Sequence, residues 1–571
     1  MPGINSILDI AQRALEVQQN GLEVTSHNIA NVNTPGYSVQ RAILQANEPV
    51  PVDVGLMGTG VETLEIQRAY SQFLNEQLID KHAQTSRWQA EKQVLAVLES
   101  RFNETEGPGL NQLLDDFWNS WEELSNNPGG MAERTTLIAR ARSLAEAMNN
   151  AALHLDSVKD DLDFTISNAC TEVNRYVDQL AELNEKIVAN ESQYGHANDL
   201  RDQRDLILEK LSELVPVSSL ESEQGTLSVF LPGGYTLVEG TSSWHLSTAL
   251  DGNNRQRLLY NGDTDITDSV SAGKIGGWLE VRDELIPKYE ETLDGLAAHL
   301  ANMVNELHRL GVDLEGNDGI DFFTYTPTFG SLPDAGTSDS VNITTEFYDS
   351  ASNTVGLYNP AEVSGDRYHV QFNMNGGVME ISISNFSTGA LVVAAQPYVS
   401  GTSYDFDGLR VTIADKGSGP RNGEGFVLLA NRDLASNLRV RPELAADARM
   451  VAAARPAGSE PFAPGDNRNA LAIAELRNQQ TMICRQQGTL GEIFRSGLVA
   501  AVGNDSALAS SRHKYSEGLQ QQLTSMRDSV AGVSLDEEMT NIIKYQHAYI
   551  AAAKLIGVTD EMLQTLLNTK T

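Results

Sequence analysis

Apolar positions at both ends of the chain recur in a strict four-and-three step. Near the N-terminus the line runs Ile4, Leu8, Ala11, Leu15, Gln18, Leu22, Thr25, Ile29. Near the C-terminus it runs Leu535, Met539, Ile542, Gln546, Tyr549, Ala553, Ile556, Asp560, Leu563, Leu567. This spacing lays a narrow stripe along one side of a helix, the geometry of a coiled-coil seam rather than a broad globular face. Gln18, Thr25, Gln546 and Asp560 interrupt the seams, and polar seam positions lower the stability of an isolated coil while specifying partner and register. The expectation is that residues 1 to about 35 and 535–571 are largely disordered in the single chain and become helical when neighbours supply the missing faces.

Between the ends the period alternates between helix and strand. Asn31 to Tyr37 is a dense turn cluster that ends the first helix, and residues 38–66 show short β-like alternation broken by Pro49, Pro51, Gly55, Gly58 and Gly60. Helical spacing follows through Trp88, Leu95, Leu98 and Phe102, then over 110–125 up to the stop at Asn126 to Gly130. A third helix is expected through Leu137, Ala141, Leu144, Met148, Ala151, Leu155 and Val158, and a fourth through Leu162, Ile166, Ala169, Val173, Tyr176, Leu180, Leu183 and Ile187. Residues 214–270 then read as a small β unit, with a hairpin of Gly225–Leu231 and Tyr235–Val238 turning at Pro232 to Gly234. Helix returns at 275–311 along Tyr289, Leu293, Leu296, Leu300, Met303, Leu307 and Leu310. Residues 312–440 are again β-like, with Asn375-Gly376 between two alternating runs. A Pro- and Ala-containing connector, 441–464, leads to helix over 466–532, with Tyr515, Leu519, Leu523, Met526 and Val530 along one edge, and Ser534 to Glu537 forms a capping box for the last helix.

The fold class expected is α+β multidomain: a long coiled-coil-like helical stem built from N- and C-terminal segments, with inserted β-rich domains. Its parts are 1–37 (seam helix and turn), 38–213 (stem), 214–272 (small β domain), 273–311 (stem helix), 312–440 (outer β-rich domain), 441–465 (connector), 466–532 (stem) and 533–571 (seam helix). A chain of 571 residues is in any case too long for one core. No run of eighteen apolar residues marks a membrane span. Asp9, Gln12, Arg13 and Glu16 break up any secretory-signal pattern, so the reading is a cytoplasmic chain or one exported without cleavage.

The formal net charge of −36 opposes non-specific nucleic-acid binding and favours solubility. The two cysteines, Cys170 and Cys484, lie far apart in helical patterns and provide neither a disulfide framework nor a metal cluster. Cys170 sits three residues before Val173 and reads as a small packed apolar group. Asp313 to Asp321 resembles a calcium loop, but Gly319 stands seventh rather than sixth and Thr324 occupies the twelfth position, so a plain turn is the better reading. His27 reads as complementing a helix C-terminus, and Leu200 to Leu206 as a solvated face with intrahelical ion pairs. No activated nucleophile, ligand cluster or phosphate cradle is present in the pattern, so catalysis, cofactor and metal are not expected.

Thr25-Ser-His-Asn-Ile-Ala-Asn-Val-Asn-Thr-Pro-Gly-Tyr37 resembles the N-terminal signature of the axial proteins of the bacterial flagellum, the rod, hook and hook-associated proteins. Its motif positions here are Asn28, Asn31, Asn33, Thr34, Pro35, Gly36 and Tyr37. The run Val533 to Tyr549, with Ala551 to Lys554 and Asp560 to Leu566, is similar to the C-terminal signature of the hook-associated branch, and Leu200 to Leu206, Leu231 to Gly240, Gly273 to Asp283 and Asn305 to Gly316 agree with it. The matches cover roughly 1–316 and 466–571, and 317–440 is similar to the variable outer domain of such proteins.

The resemblance implies export through the flagellar type III channel and assembly into a thin ring between hook and filament, the terminal helices forming an inner tube. The implied partners are copies of the chain itself, hook protein on one side, hook-associated protein 3 on the other, and an export chaperone, with no nucleic acid and no membrane. The implied assembly residues are Ile4, Leu8, Leu15, Leu22, Ile29, Leu535, Met539, Ile542, Tyr549, Ile556, Leu563 and Leu567. Alternatives are another axial component, such as hook protein or hook-associated protein 3, or an adhesin or hydrolase module at 317–440 carried on a flagellar scaffold.

Overall fold

A computed structural model describes residues 2–52, 55–102, 109–222, 224–251, 255–325, 328–333, 340–356, 367–386, 388–417, 419–456, 463–484 and 486–569. The chain forms two compact units, one from 1–93, 162–280 and 508–571, the other from 94–161 and 281–507. Both are α+β, and both chain ends are long helices, Pro2–Ala30 and Leu535–Thr569.

The third and fourth helices expected from the pattern are one. Met131–Tyr194 is a single helix of 64 residues, about 96 Å at 1.5 Å per residue. Its 4-3 steps restart near residue 160, but no Gly or Pro occurs between Gly130 and Gly195, so nothing interrupts the hydrogen-bond ladder. Gly195, at φ +83°, ends it. The shorter helix expected at 110–125 is Leu110–Asn126.

In the first unit, Ile166, Val173, Val177 and Leu180 of the long helix pack with Leu208 and Leu211 of helix Asn198–Leu214 and with Val229, Leu237 and Val238 of a four-stranded antiparallel sheet. The expected hairpin is there, with Val229 opposite Val238 and Gly233 and Gly234 both at positive φ in the turn. Cys170 is buried in this core, and burial pushes its thiol up to about 12, so it packs as an inert apolar group.

In the second unit, the helix expected at 275–311 is broken by a π turn, Val281–Leu285, before Ile286–Arg309. Pro287 has no N–H to give to the carbonyl four residues back, and the ladder adjusts there. Two sheets, one of five strands and one of four, share a core of residues such as Tyr368, Phe372, Ile383, Val411 and Phe426. The expected hairpin spans Arg367–Asn375 and Val378–Asn385, but Asn375 pairs with Val378, so the two-residue loop is Gly376-Gly377, both at positive φ.

The expected connector is packed: Val451 to Ala454 are buried, and Ala454 bridges Val312. Helix over 466–532 is interrupted by a small hairpin, Thr481–Ile483 with Gln486–Gly488, before Leu490–Ile493 and Ala500–Ala531. Thr481 and Ile483 are β-branched and flank Met482, and Cys484 at φ +49° follows, which favours the strand and its turn. The acidic loop behaves as a turn, since Asp313 Oδ1 accepts the amides of Glu315 (2.8 Å) and Asn317 (2.9 Å).

His308 is fully buried against Trp121 and Phe322. Its Nε2 accepts the Ala452 amide at 2.9 Å, and its Nδ1 faces the Ile320 carbonyl. That pattern requires a neutral ring with its proton on Nδ1. Burial, aided by the nearby Arg134 guanidinium, lowers its pKa to about 4. A folded-state value below the unfolded 6.5 contributes stability that is complete above pH 6.5 and is lost as pH falls through 4. Unfolding free energy should therefore drop by about 3 kcal/mol from this group between pH 6.5 and pH 4. Denaturant titrations across that window check it, with His308→Gln expected to flatten this part of the profile.

Candidate assembly interface

The two terminal helices lie side by side. On the first, the buried positions are Ala11, Val17, Gly21, Val24, Thr25 and Asn28; on the second, they are Glu538, Ala552 and Thr559, with Tyr545 half-buried. Gly21 faces the Tyr545 ring, and a Cβ there would come within 2.7 Å of it. Backbone and ring therefore approach as only glycine permits.

The expected seam residues sit beside this line. Leu8, Leu15, Leu22, Ile29, Ile542, Ile556 and Leu563 are half-buried, while Leu535, Met539, Tyr549 and Leu567 are exposed. The Ile4 side chain lies outside the described residues. Within one chain, then, small residues carry the contact, and the larger apolar seam residues remain partly or fully uncovered.

The turn after the first helix is built from the motif residues. Asn31 Nδ2 caps the His27 carbonyl at 3.1 Å, Thr34 Oγ1 donates to Asn31 Oδ1 at 3.1 Å, and Gly36 adopts φ +77°. Asn33 and Pro35 are exposed on the turn. Asn28, only 1% exposed, is the centre. Its Nδ2 donates to the Gln40 carbonyl (2.9 Å), and its Oδ1 accepts from the Gln40 amide (3.0 Å) and the Tyr37 hydroxyl (2.8 Å). One side-chain amide thus pairs with a strand backbone as a neighbouring strand would. The Tyr37 oxygen, having given its hydrogen to Asn28, lies 3.1 Å from His27 Nδ1, and His27 Nε2 is 3.5 Å from Asp199. Burial raises the Tyr37 pKa, and Asp199, Asp202 and Glu538 raise it further, so the hydroxyl stays protonated as a donor. His27 therefore joins two elements through its ring, beyond the helix-end role expected.

Behind the turn, the start of helix Asn198–Leu214 holds the two-stranded ribbon Gln40–Ala46 and Val61–Arg68. Asn198 Nδ2 donates to the Ile66 carbonyl (2.7 Å), Asp199 accepts from Gln40 Nε2 (2.7 Å), and Asp202 accepts the Ser38 amide (2.8 Å). Arg68 is buried between Asp202 and Asp205, 2.7 Å from each. Burial pushes both carboxyls up against the pull of Arg68, while the two acids hold the guanidinium above its ordinary value. Arg204, 1% exposed, reaches Glu221, the Gly225 carbonyl and Asn184, and Arg201 pairs with Glu191 and Glu221. Leu200 to Leu206 is thus not a solvated face. Its charges are buried or half-buried, and their partners come from outside the helix, at Ser38, Arg68, Asn184 to Glu191 and Glu221 to Gly225. Its alternating acids and bases were visible in the sequence; nothing local marked those partners.

Across the described residues, no group of three or more His, Cys, Asp or Glu is placed to hold a metal ion. A sequence model described as the flagellar hook-associated protein FlgK helical domain matches residues 95–323. Models described as flagella basal body rod protein and flagellar basal body rod FlgEFG protein C-terminal match 8–37 and 528–569. Flagellar hook-associated protein 1 of Salmonella typhimurium is 26% identical over 577 residues, covering 99% of this chain and 100% of that protein. The chain is thus similar to flagellar hook-associated protein 1 along nearly its whole length. Flagellar hook-associated protein 1 of Bacillus subtilis is 25% identical, covering 98% of this chain and 97% of its own length. The flagellar hook junction protein FlgK from Burkholderia pseudomallei shares the fold, with a TM-score of 0.65 and 20% identity over 80% of this chain and 100% of that one. The two end matches coincide with the paired terminal helices and the Asn28 turn, and the central match includes the long helix and the acids and arginines of Leu200 to Leu206, with Arg68 outside it.

Asn28→Ala should strip the Gln40 amide and carbonyl of their partner and destabilise the turn by about 2–4 kcal/mol. Hydrogen exchange at the Gln40 amide reads this directly, and unchanged exchange would refute the clamp. Gly21→Ala should push the Tyr545 ring away and lower amide protection along Leu535–Thr569, and adding Tyr545→Ala should restore part of it.

Proposed function

We propose that this chain is a structural, non-enzymatic component of the bacterial flagellum, exported and built in at the junction of hook and filament. The observation that carries the reading is the coincidence of the end matches with a built feature: paired terminal helices locked to the body through Asn28, Tyr37 and Arg68. A chain whose first and last helices hold each other and present further apolar residues is suited to contacts with other helices of the same kind.

In this reading the partners are axial proteins: hook protein on one side, hook-associated protein 3 on the other, and further copies in a ring. Ile4, Leu8, Leu15, Leu22, Ile29, Leu535, Met539, Ile542, Tyr549, Ile556, Leu563 and Leu567 close against neighbours in the inner tube, the β-rich domain at 312–440 faces outward, and an export chaperone shields the C-terminal helix before assembly. None of the described helices is long and apolar enough to cross a membrane, which is in keeping with a component outside the cell.

Cells lacking this protein should build hooks, shed filament subunits into the medium and fail to swim. Full-length chain should restore swimming, and chain ending at residue 533 should not. Normal swimming of the null strain would end the junction reading, and rescue by the truncated chain would remove the C-terminal helix as the assembly element.

A further inference from the structure

Two apolar strips of the first unit are left without a cover. The ribbon of Gln40–Ala46 and Val61–Arg68 has only two strands, and one side of it rests on the N-terminal helix, where Asn20 donates to Thr63. Leu64, at a bulge where the ribbon's register shifts, and Ile66 beside it are both exposed. Beyond them a smaller hairpin, Val50–Val52 with Gly55–Met57, carries Leu56 at 74% exposure. A free two-stranded hairpin is marginal in water unless another surface packs on it. The second strip lies on helix Ala500–Ala531. Tyr515, Leu519, Leu523, Met526 and Val530 step by four, four, three and four, so they form one narrow line, and Tyr515 is 71% exposed.

The strips match in length and differ in charge. Val61–Arg68 spans about 23 Å as a strand, and Tyr515 to Val530 spans about 22 Å as a helix. Residues 38–70 hold two arginines (Arg41 and Arg68) and four acids (Glu48, Asp53, Glu62 and Glu65), a net of 2 − 4 = −2. Residues 508–531 hold Arg512, Lys514 and Arg527 against Glu517 and Asp528, a net of 3 − 2 = +1, in a chain of −36. Two unlike patches on one molecule make a head-to-tail contact between copies, and a contact of that type generates rings or helices rather than closed pairs.

We propose that the outer face of the ribbon docks, in a second copy of this chain, onto the Tyr515–Val530 line, and that this heterologous contact propagates the ring. The inference rests on the junction reading and adds its side-to-side contact. Leu64 and Ile66 fill the gaps along the helix line, Leu56 extends the contact at the tip, and the net negative ribbon meets a net positive helix, whose Lys514 stands at the start of the line.

The test is done in cells that assemble flagella. A chain carrying Leu64→Cys and Met526→Cys should give disulfide-linked dimers and higher multiples on mild oxidation of isolated hook–filament structures, while each single cysteine variant should give none. Leu64→Asp should lower the number of completed junctions about tenfold or more, because it buries a charge in the contact, and the melting temperature of the purified chain should stay at the parent value. If cross-links are absent and Leu64→Asp cells swim like the parent while the null strain cannot swim, the contact is wrong and the junction reading survives. Cross-links only to a different protein would also overturn the contact. Swimming of the null strain would remove the reading beneath it.

Discussion

One buried cation organises the first unit. Arg68 lies at the end of the ribbon between two carboxylates of a single helix, and Asp202 also takes the Ser38 amide at the mouth of the turn. Buried ion pairs add little net stability, because desolvation offsets their attraction, but removing one member strands the others. Their value here is geometric. The planar guanidinium fixes the strand end against the helix, the helix fixes the turn, and the turn fixes the direction in which the N-terminal helix leaves. Arg204, between those two acids in sequence, ties the same helix to the small β sheet through Glu221 and the Gly225 carbonyl.

The terminal helices show how a weak pairing can be made specific. Gly21 meets the Tyr545 ring, and the buried apolar residues of the two helices are small, Ala11, Val17 and Val24 on the first and Ala552 on the second. Such residues bury little apolar area, so the free-energy gain is modest. Close approach at Gly21 and the hydrogen bonds around Asn28 supply register instead. The larger residues of the four-and-three pattern stay at the edges of the pair. A single helix can thus satisfy its own chain with one line and still offer another.

Much of the architecture was legible because period is a strong signal: the amphipathic stretch at 110–125, the hairpins near 230 and 376, and the helical ends all follow from it. The motif at 25–37 carried the resemblance to flagellar axial proteins, and its Asn, Gly and Tyr positions are those the turn needs. What escaped was set by partners distant in sequence. Leu200 to Leu206 has the composition of a surface, and only the arrival of Arg68, Glu191 and Glu221 makes it an interior. The connector at 451–454 is small and apolar, and its burial depends on Val312 and His308. The split of the long helix at residue 160 was an error of local pattern, corrected by the absence of any residue able to break a helix.

The contact of Gly21 with Tyr545 joins positions 545 − 21 = 524 residues apart. Closing so long a loop costs about 5–6 kcal/mol of chain entropy before any contact forms. The two ends therefore meet late, after the bodies between them have shortened the path. During synthesis, the N-terminal helix has no partner until nearly the whole chain has emerged. A polypeptide that ends early, however well its middle folds, therefore carries a first helix without the partner that Tyr545 would bring.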